Sequence, residues 1–193
     1  MRVAVRSSLL FASFSVAAIL PAHANLITNG GFETGDFTGW TVSAGSTGVS
    51  GAGGPGGYSP YDGNYYAYLG TVGLPLGTIS QIISDTPGQT YTLDYYLASN
   101  GTTPNEFETS IDGVSVFDQT NITTQPYTLY SFNFVGTGTD TITFGERDDP
   151  NYLALDHVSV NPASAIPEPS SLLLLATGMA GVAGAVRRRL RLS

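Results

Sequence analysis

Cysteine and lysine are both absent from this chain of 193 residues. Without cysteine there are no disulfide staples, zinc–thiolate centres, iron–sulfur clusters or thiol nucleophiles, so an exported fold would have to hold by core burial and bound metal. Positive charge is scarce. Of the 7 Lys+Arg, all arginine, six sit near the two ends: Arg2, Arg6, Arg187, Arg188, Arg189 and Arg191. Only Arg147 lies between them, whereas of the 15 acidic residues only Glu168 lies outside residues 25–165. That central stretch is therefore strongly acidic, near −13. Nothing in it could neutralise phosphates, which excludes nucleic acid as a partner and disfavours an anionic membrane surface. Histidine is limited to His23 and His157, too few for an imidazole metal site, and no G-x-S-x-G nucleophile motif occurs. Helical periodicity never persists for about ten residues outside the two ends.

What is abundant is glycine (24), with tyrosine (11), threonine and serine, a mixture that favours short strands joined by turns. Nine strand-like runs follow one another. They are Trp40–Ser43, Asn64–Leu69, Thr78–Ile83, Thr90–Leu97, Phe107–Ile111, Val114–Phe117, Tyr127–Val135, Thr139–Phe144 and Tyr152–Val160. Several alternate apolar with polar, as in Tyr91, Leu93, Tyr95 and Leu97. Asp112-Gly113 between two of them is a strong hairpin signal. The expectation is an all-β antiparallel β-sandwich of jelly-roll type. Gly45 to Pro60 is nearly all glycine, serine and proline and reads as a long flexible loop.

The two ends carry targeting signals. Arg2 and Arg6 precede a largely apolar run, Leu9–Leu20, then Pro21 and Ala22-His23-Ala24, whose alanines suit signal peptidase. Residues 1–24 read as a signal peptide for the Sec export machinery, cut before Asn25. At the other end stand Pro167-Glu168-Pro169, an apolar run Ser171–Val186, and the basic residues Arg187, Arg188, Arg189 and Arg191. Residues 171–186 are just short of the roughly 17–25 that usually span a bilayer, and snorkelling arginines can stretch them. The basic end places that side in the cytoplasm and the domain outside. A plain C-terminal anchor is the alternative. The order of the three parts resembles the PEP-CTERM sorting signal of bacterial surface proteins, over residues 166–193. That resemblance implies transient membrane insertion at the inner membrane, processing near Pro167–Pro169 by an exosortase-like enzyme, and delivery to the cell surface or extracellular matrix.

Residues 25–165 form the expected domain. It opens with Asn29-Gly30-Gly31-Phe32-Glu33 and Gly39-Trp40 and closes with Leu153-Ala154-Leu155-Asp156-His157-Val158. Both ends resemble the galactose-binding-like jelly-roll domains, a class containing many carbohydrate-binding modules. The resemblance implies that the chain ends lie side by side and share one structural Ca2+, with Glu33 and Asp156 as carboxylate ligands and Gly31 as a carbonyl ligand. Calcium favours such oxygen cages. The alternative is that both carboxylates simply accept backbone N–H bonds at strand ends. A second acidic group, Glu146, Asp148 and Asp149 with Asn151, reads as a solvated turn, with a metal role as the alternative. His157 follows Asp156 on a strand, so the two should face opposite sides unless a bulge intervenes.

Tyrosine is the remaining signal, because aromatic faces stack on sugars. In Asn64–Tyr68, Tyr66 and Tyr68 share a face, and Tyr96 opposes Tyr91 and Tyr95, which makes Tyr66, Tyr68 and Tyr96 the candidate glycan contacts. Trp40 is expected in the core. No spacing points to a catalytic carboxylate pair, so the expectation is a non-catalytic surface or matrix protein associated with exopolysaccharide or biofilm. A carbohydrate-binding module acting on external polysaccharide is the alternative.

Overall fold

The computed structural model describes residues 25–163. The signal peptide, the Pro167–Pro169 motif, the apolar run 171–186 and the basic tail lie outside the described residues. Among the described residues no helix is long and apolar enough to cross a membrane.

Ten strands form: β1 Thr41–Ser43, β2 Gly48–Ser50, β3 Tyr66–Leu69, β4 Gly77–Ser84, β5 Thr90–Ser99, β6 Asn105–Ile111, β7 Val114–Thr120, β8 Gln125–Val135, β9 Thr139–Asp148 and β10 Leu153–Pro162. They pair antiparallel in two five-stranded sheets, ordered β1-β4-β9-β6-β7 and β2-β3-β10-β5-β8. The sheets pack face to face as a β-sandwich, as expected.

The alternation read from sequence is the burial pattern found. Tyr91, Leu93, Tyr95 and Leu97 of β5 face inward, against Ile79 and Ile83 of β4 and Ile142 and Phe144 of β9. Tyr95 is fully buried and its hydroxyl reaches Thr109 Oγ1 at 2.7 Å, which satisfies a polar atom that would otherwise be costly inside the core. Trp40 is also core, 5.8 Å from the Phe32 ring. Asp112 and Gly113 both take positive φ (50° and 75°) between β6 and β7, as a two-residue hairpin turn requires.

One expectation fails. The glycine-rich segment is not an open loop: residues 48–50 pair with β3 as an edge strand and Pro55–Gly57 makes a single 3-10 turn. Some of its glycines serve close packing. A Cβ at Gly48 would fall 2.2 Å from the Tyr68 hydroxyl, and one at Gly54 would fall 2.2 Å from Ser50 Oγ. The segment therefore lies against the outer face of the second sheet.

The chain ends lie together, as the resemblance implied. Leu26 N–H donates to Val160 O and Val158 N–H to Gly30 O, each at 2.9 Å, so the entering chain runs along β10. Asn25 adds two side-chain bonds to that strand, accepting from Val160 N–H at 2.8 Å and donating to Val158 O at 3.2 Å.

Candidate functional site: an aromatic patch over the chain-end junction

The outer face of the second sheet is where aromatic side chains gather away from the core. Its centre is Asp156 on β10. The register of β10 against β5 breaks between Asp156 and Ser159, and His157 adopts φ 53°. This is a β-bulge, which leaves an extra residue and re-aims its side chain. The bulge brings the His157 ring to the same side as Asp156, a correction to the strict alternation expected from sequence.

Asp156 is fully buried, yet both oxygens are engaged. Oδ2 accepts Tyr61 N–H at 2.8 Å and Asp62 N–H at 3.3 Å, and Oδ1 accepts His157 N–H at 2.6 Å. Burial pushes its carboxyl up to about 6, while those N–H groups and His157 draw it partly back. The carboxylate thus anchors the Tyr61–Asp62 loop across the sheet.

The anchored loop lays Tyr61 on Tyr96, ring centroids 3.7 Å apart and nearly parallel. Tyr127 and His157 stand edge-on to Tyr61 at 5.8 Å and 5.7 Å. Tyr61 keeps 43% of its surface exposed. His157 Nδ1 lies 3.7 Å from Asp62 Oδ2 at the rim. Beside this patch, Tyr68 meets Tyr152 edge-on at 5.4 Å.

Of the three tyrosines named from sequence, Tyr96 belongs to the patch and Tyr68, half-buried, flanks it. Tyr66 does not. It is fully buried beneath the glycine-rich segment, its hydroxyl donating to Pro55 O at 2.9 Å, so it supports the face without being reachable. Tyr61, Tyr127 and His157 were not among the named contacts. Tyr61 sits in a loop with no periodicity, and only the bulge places His157 beside it.

Gly31 lies between Glu33 and Asp156: a Cβ on it would lie 3.7 Å from Glu33 Cγ and 3.9 Å from Asp156 Oδ1. Glu33 Oε1 accepts Asn64 N–H at 2.8 Å and Tyr65 N–H at 3.0 Å. Burial is the largest single influence and opposes the charge, but these N–H groups and the Asn64 side chain together hold its carboxyl below the ordinary value. Gly63 supplies the close approach, at φ 68°, because a Cβ there would strike Glu33 Oε1 at 2.3 Å. Both carboxylates therefore already hold the ends in place through N–H donors. A cation here would use the lone pairs those donors leave.

The second acidic group is not a solvated turn. Glu146 and Asp148 are fully buried on the core-facing row of β9.

With the geometry in hand, the likeness to solved structures defines the fold class. TmCBM61, solved with β-1,4-galactotriose, matches with a TM-score of 0.53 at 19% identity, covering 72% of this chain and 99% of that one. The CBM22-1 xylan-binding domain of Paenibacillus barcinonensis Xyn10C matches at 0.51 and 16% identity, covering 76% and 99%. A xylan-binding domain from CBM22 matches at 0.54 and 15%, with the same coverage. The fold is thus the jelly-roll sandwich of carbohydrate-binding modules. The more particular finding is downstream: the PEP-CTERM protein-sorting motif matches residues 165–189. That signal marks an exported protein, processed at the membrane for the cell surface. A search of curated proteins returned no match.

Proposed function

We propose that this protein is a non-catalytic component of the cell surface or extracellular matrix that binds extracellular polysaccharide through the Tyr61–Tyr96 patch. The observation that carries the reading is the stacked pair, held by Asp156 and flanked by Tyr127 and His157. Stacked tyrosines present an apolar face and a hydroxyl rim at little entropic cost, the combination a pyranose ring favours. The structural neighbours with galactotriose and xylan support a β-linked polysaccharide as the ligand class. Asp156, the carboxylate at the centre of the patch, has both oxygens committed to N–H donors and is not free to act as an acid or base.

In this reading residues 1–24 route the chain through Sec and signal peptidase, and an exosortase cuts near Pro167–Pro169. The destination is an exopolysaccharide or biofilm matrix. A structural calcium at Gly31, Glu33 and Asp156 would add to the pinning of the chain ends. The second reading, a binding module acting on external polysaccharide made elsewhere, is favoured by the same neighbours.

The test is retention of the purified full-length chain on insoluble and matrix polysaccharides, beside a Tyr61→Ala, Tyr96→Ala double variant. Retention lost in the variant supports the reading. Equal retention of both, or none on any polysaccharide, overturns it. Retention only on foreign polysaccharides, and not on the producing cell's own, favours the second reading.

A further inference from the structure

The core-facing row of β9 reads Asp140, Ile142, Phe144, Glu146, Asp148: apolar in the middle, acidic at both ends. Towards its C-terminal end Glu146 and Asp148, with Asp149 next in the chain, are unequally provided for. Glu146 is saturated, its Oε1 accepting from the hydroxyls of Thr47 and Thr71 at 2.6 Å each and its Oε2 from Thr71 N–H at 3.0 Å. Asp149 is half provided for: Oδ2 accepts Gly73 N–H at 3.0 Å, whereas Oδ1 is buried with no partner. Asp148 is fully buried and neither of its oxygens has a partner. Three carboxylate oxygens are thus shut away from water with nothing to hold them.

No protein cation relieves them. The only basic side chain among the described residues, Arg147, points to the opposite face of β9 and pairs with Glu106 at 3.0 Å. The region is also close-packed by design: a Cβ at Gly77 would fall 2.1 Å from Thr71 Oγ1 and 2.7 Å from Glu146 Oε1. A buried, unpaired carboxylate is one of the costliest features a fold can contain. Two answers exist: a proton or a cation. Burial favours the proton and pushes the Asp148 carboxyl up to about 6; the Asn151 backbone N–H opposes the rise, and the charges of Asp149 and Glu146 reinforce it.

We propose that Asp148 and Asp149 bind a divalent cation, calcium by chemical class, at the junction of β9 with the loop that leads to β10. Asp148 would offer both oxygens and Asp149 its free Oδ1, with water and neutral oxygens of the adjoining loops completing the shell. Among the described residues no three acidic or histidine side chains are grouped to hold a metal ion, so the remaining ligands would have to be neutral oxygens and water. Calcium tolerates such irregular cages, whereas magnesium demands a near-ideal octahedron and gives up its water reluctantly. The proposal is independent of glycan binding and of the chain-end carboxylates.

The test is calorimetric titration of the full-length chain, purified in detergent, with CaCl2 and separately MgCl2, beside Asp148→Asn, Asp149→Asn and Glu33→Gln. The expected result is a calcium site that both aspartate variants lose or weaken at least tenfold and that Glu33→Gln retains. Wild type that takes up no calcium, or Asp148→Asn that binds with unchanged stoichiometry and affinity, overturns it. Thermal melting supplies a second reading. In chelator Asp148→Asn should melt above wild type, since it removes an unpaired buried charge. In calcium that advantage should vanish or reverse. A variant that melts below wild type by the same margin in both conditions would make Asp148 an ordinary structural acceptor and sink the idea.

Discussion

Asp156 and Asp148 are both fully buried aspartates at strand positions, and in both burial pushes the carboxyl up to about 6. Their surroundings could hardly differ more. Asp156 accepts three backbone N–H groups, whereas neither oxygen of Asp148 has a donor in hydrogen-bonding geometry and only the Asn151 N–H lies near enough to temper its charge. The contrast shows that burial alone does not say what a carboxylate is for. One saturated by N–H donors fastens chain to chain, and a cation arriving there must compete with those donors. One left empty is unfinished until something positive arrives, and a cation there competes with nothing but a proton. If both sites take calcium, the Asp148 site should fill first.

Removing the saturated carboxylate gives the largest expected effect. Asp156→Ala would strand three N–H donors, at about 1–3 kcal/mol each. The loss should reach at least about 3 kcal/mol in denaturant titration, with Tyr61 released as shown by its fluorescence or proteolytic accessibility. A variant within about 0.5 kcal/mol of wild type would erase the distinction between the two aspartates.

Asp140, at the other end of the β9 row, sharpens the comparison. Burial works against its charge, but the hydroxyl and backbone N–H of Thr137 donate to it and hold its carboxyl below the ordinary value. Such a group stabilises the fold above the unfolded-state pKa, about 4, and that contribution disappears as pH falls through the lowered native value. Asp140→Asn should cost about 1–3 kcal/mol at neutral pH and flatten the acid limb of the stability curve. An acid limb that keeps its full slope in the variant would assign that limb to other carboxylates.

Glu33→Gln is expected to be milder, about 1 kcal/mol or less, because Glu33 is exposed and water can replace it. Chemical denaturation in chelator isolates that hydrogen-bonding share. A loss that appears only in calcium would instead assign Glu33 to a metal. The smallest effect on stability belongs to Tyr61→Ala, whose ring packs on Tyr96 outside the core and keeps one face open to solvent. It should melt close to wild type while polysaccharide affinity falls roughly threefold to tenfold. Unchanged affinity would separate the patch from binding.

The alternation of Tyr91, Leu93, Tyr95 and Leu97 in β5 was legible because one face of that strand is apolar, and the Asp112-Gly113 turn because its dihedrals demand those residues. The chain ends were legible through Asn29–Glu33 and Leu153–Val158. Other features were hidden for physical reasons. Gly48 and Gly54 looked like slack, yet they are small because the Tyr68 hydroxyl and Ser50 occupy the space. The candidate site depends on a bulge at His157 and on Tyr61 in a loop, neither of which leaves a period in the sequence. Glu146 and Asp148 do continue the period-two row of Ile142 and Phe144. Their acidity made that row look like a turn, when it is a strand running to its end inside the protein.

Strand β10 lies between β3 and β5, in register with β3 from Leu153 to Leu155 and with β5 from Leu153 to Pro162. It is also the strand that leads into the sorting signal, so a pull from a tethered C-terminus enters the fold at Pro162 and acts along the axis of β10. Loaded that way, the ladders on both flanks are sheared together and not peeled one bond at a time. The entering residues Asn25 and Leu26, bonded to Val158 and Val160, add a third line of resistance. A domain tethered by its C-terminal side would thereby be gripped by a strand bonded on both flanks.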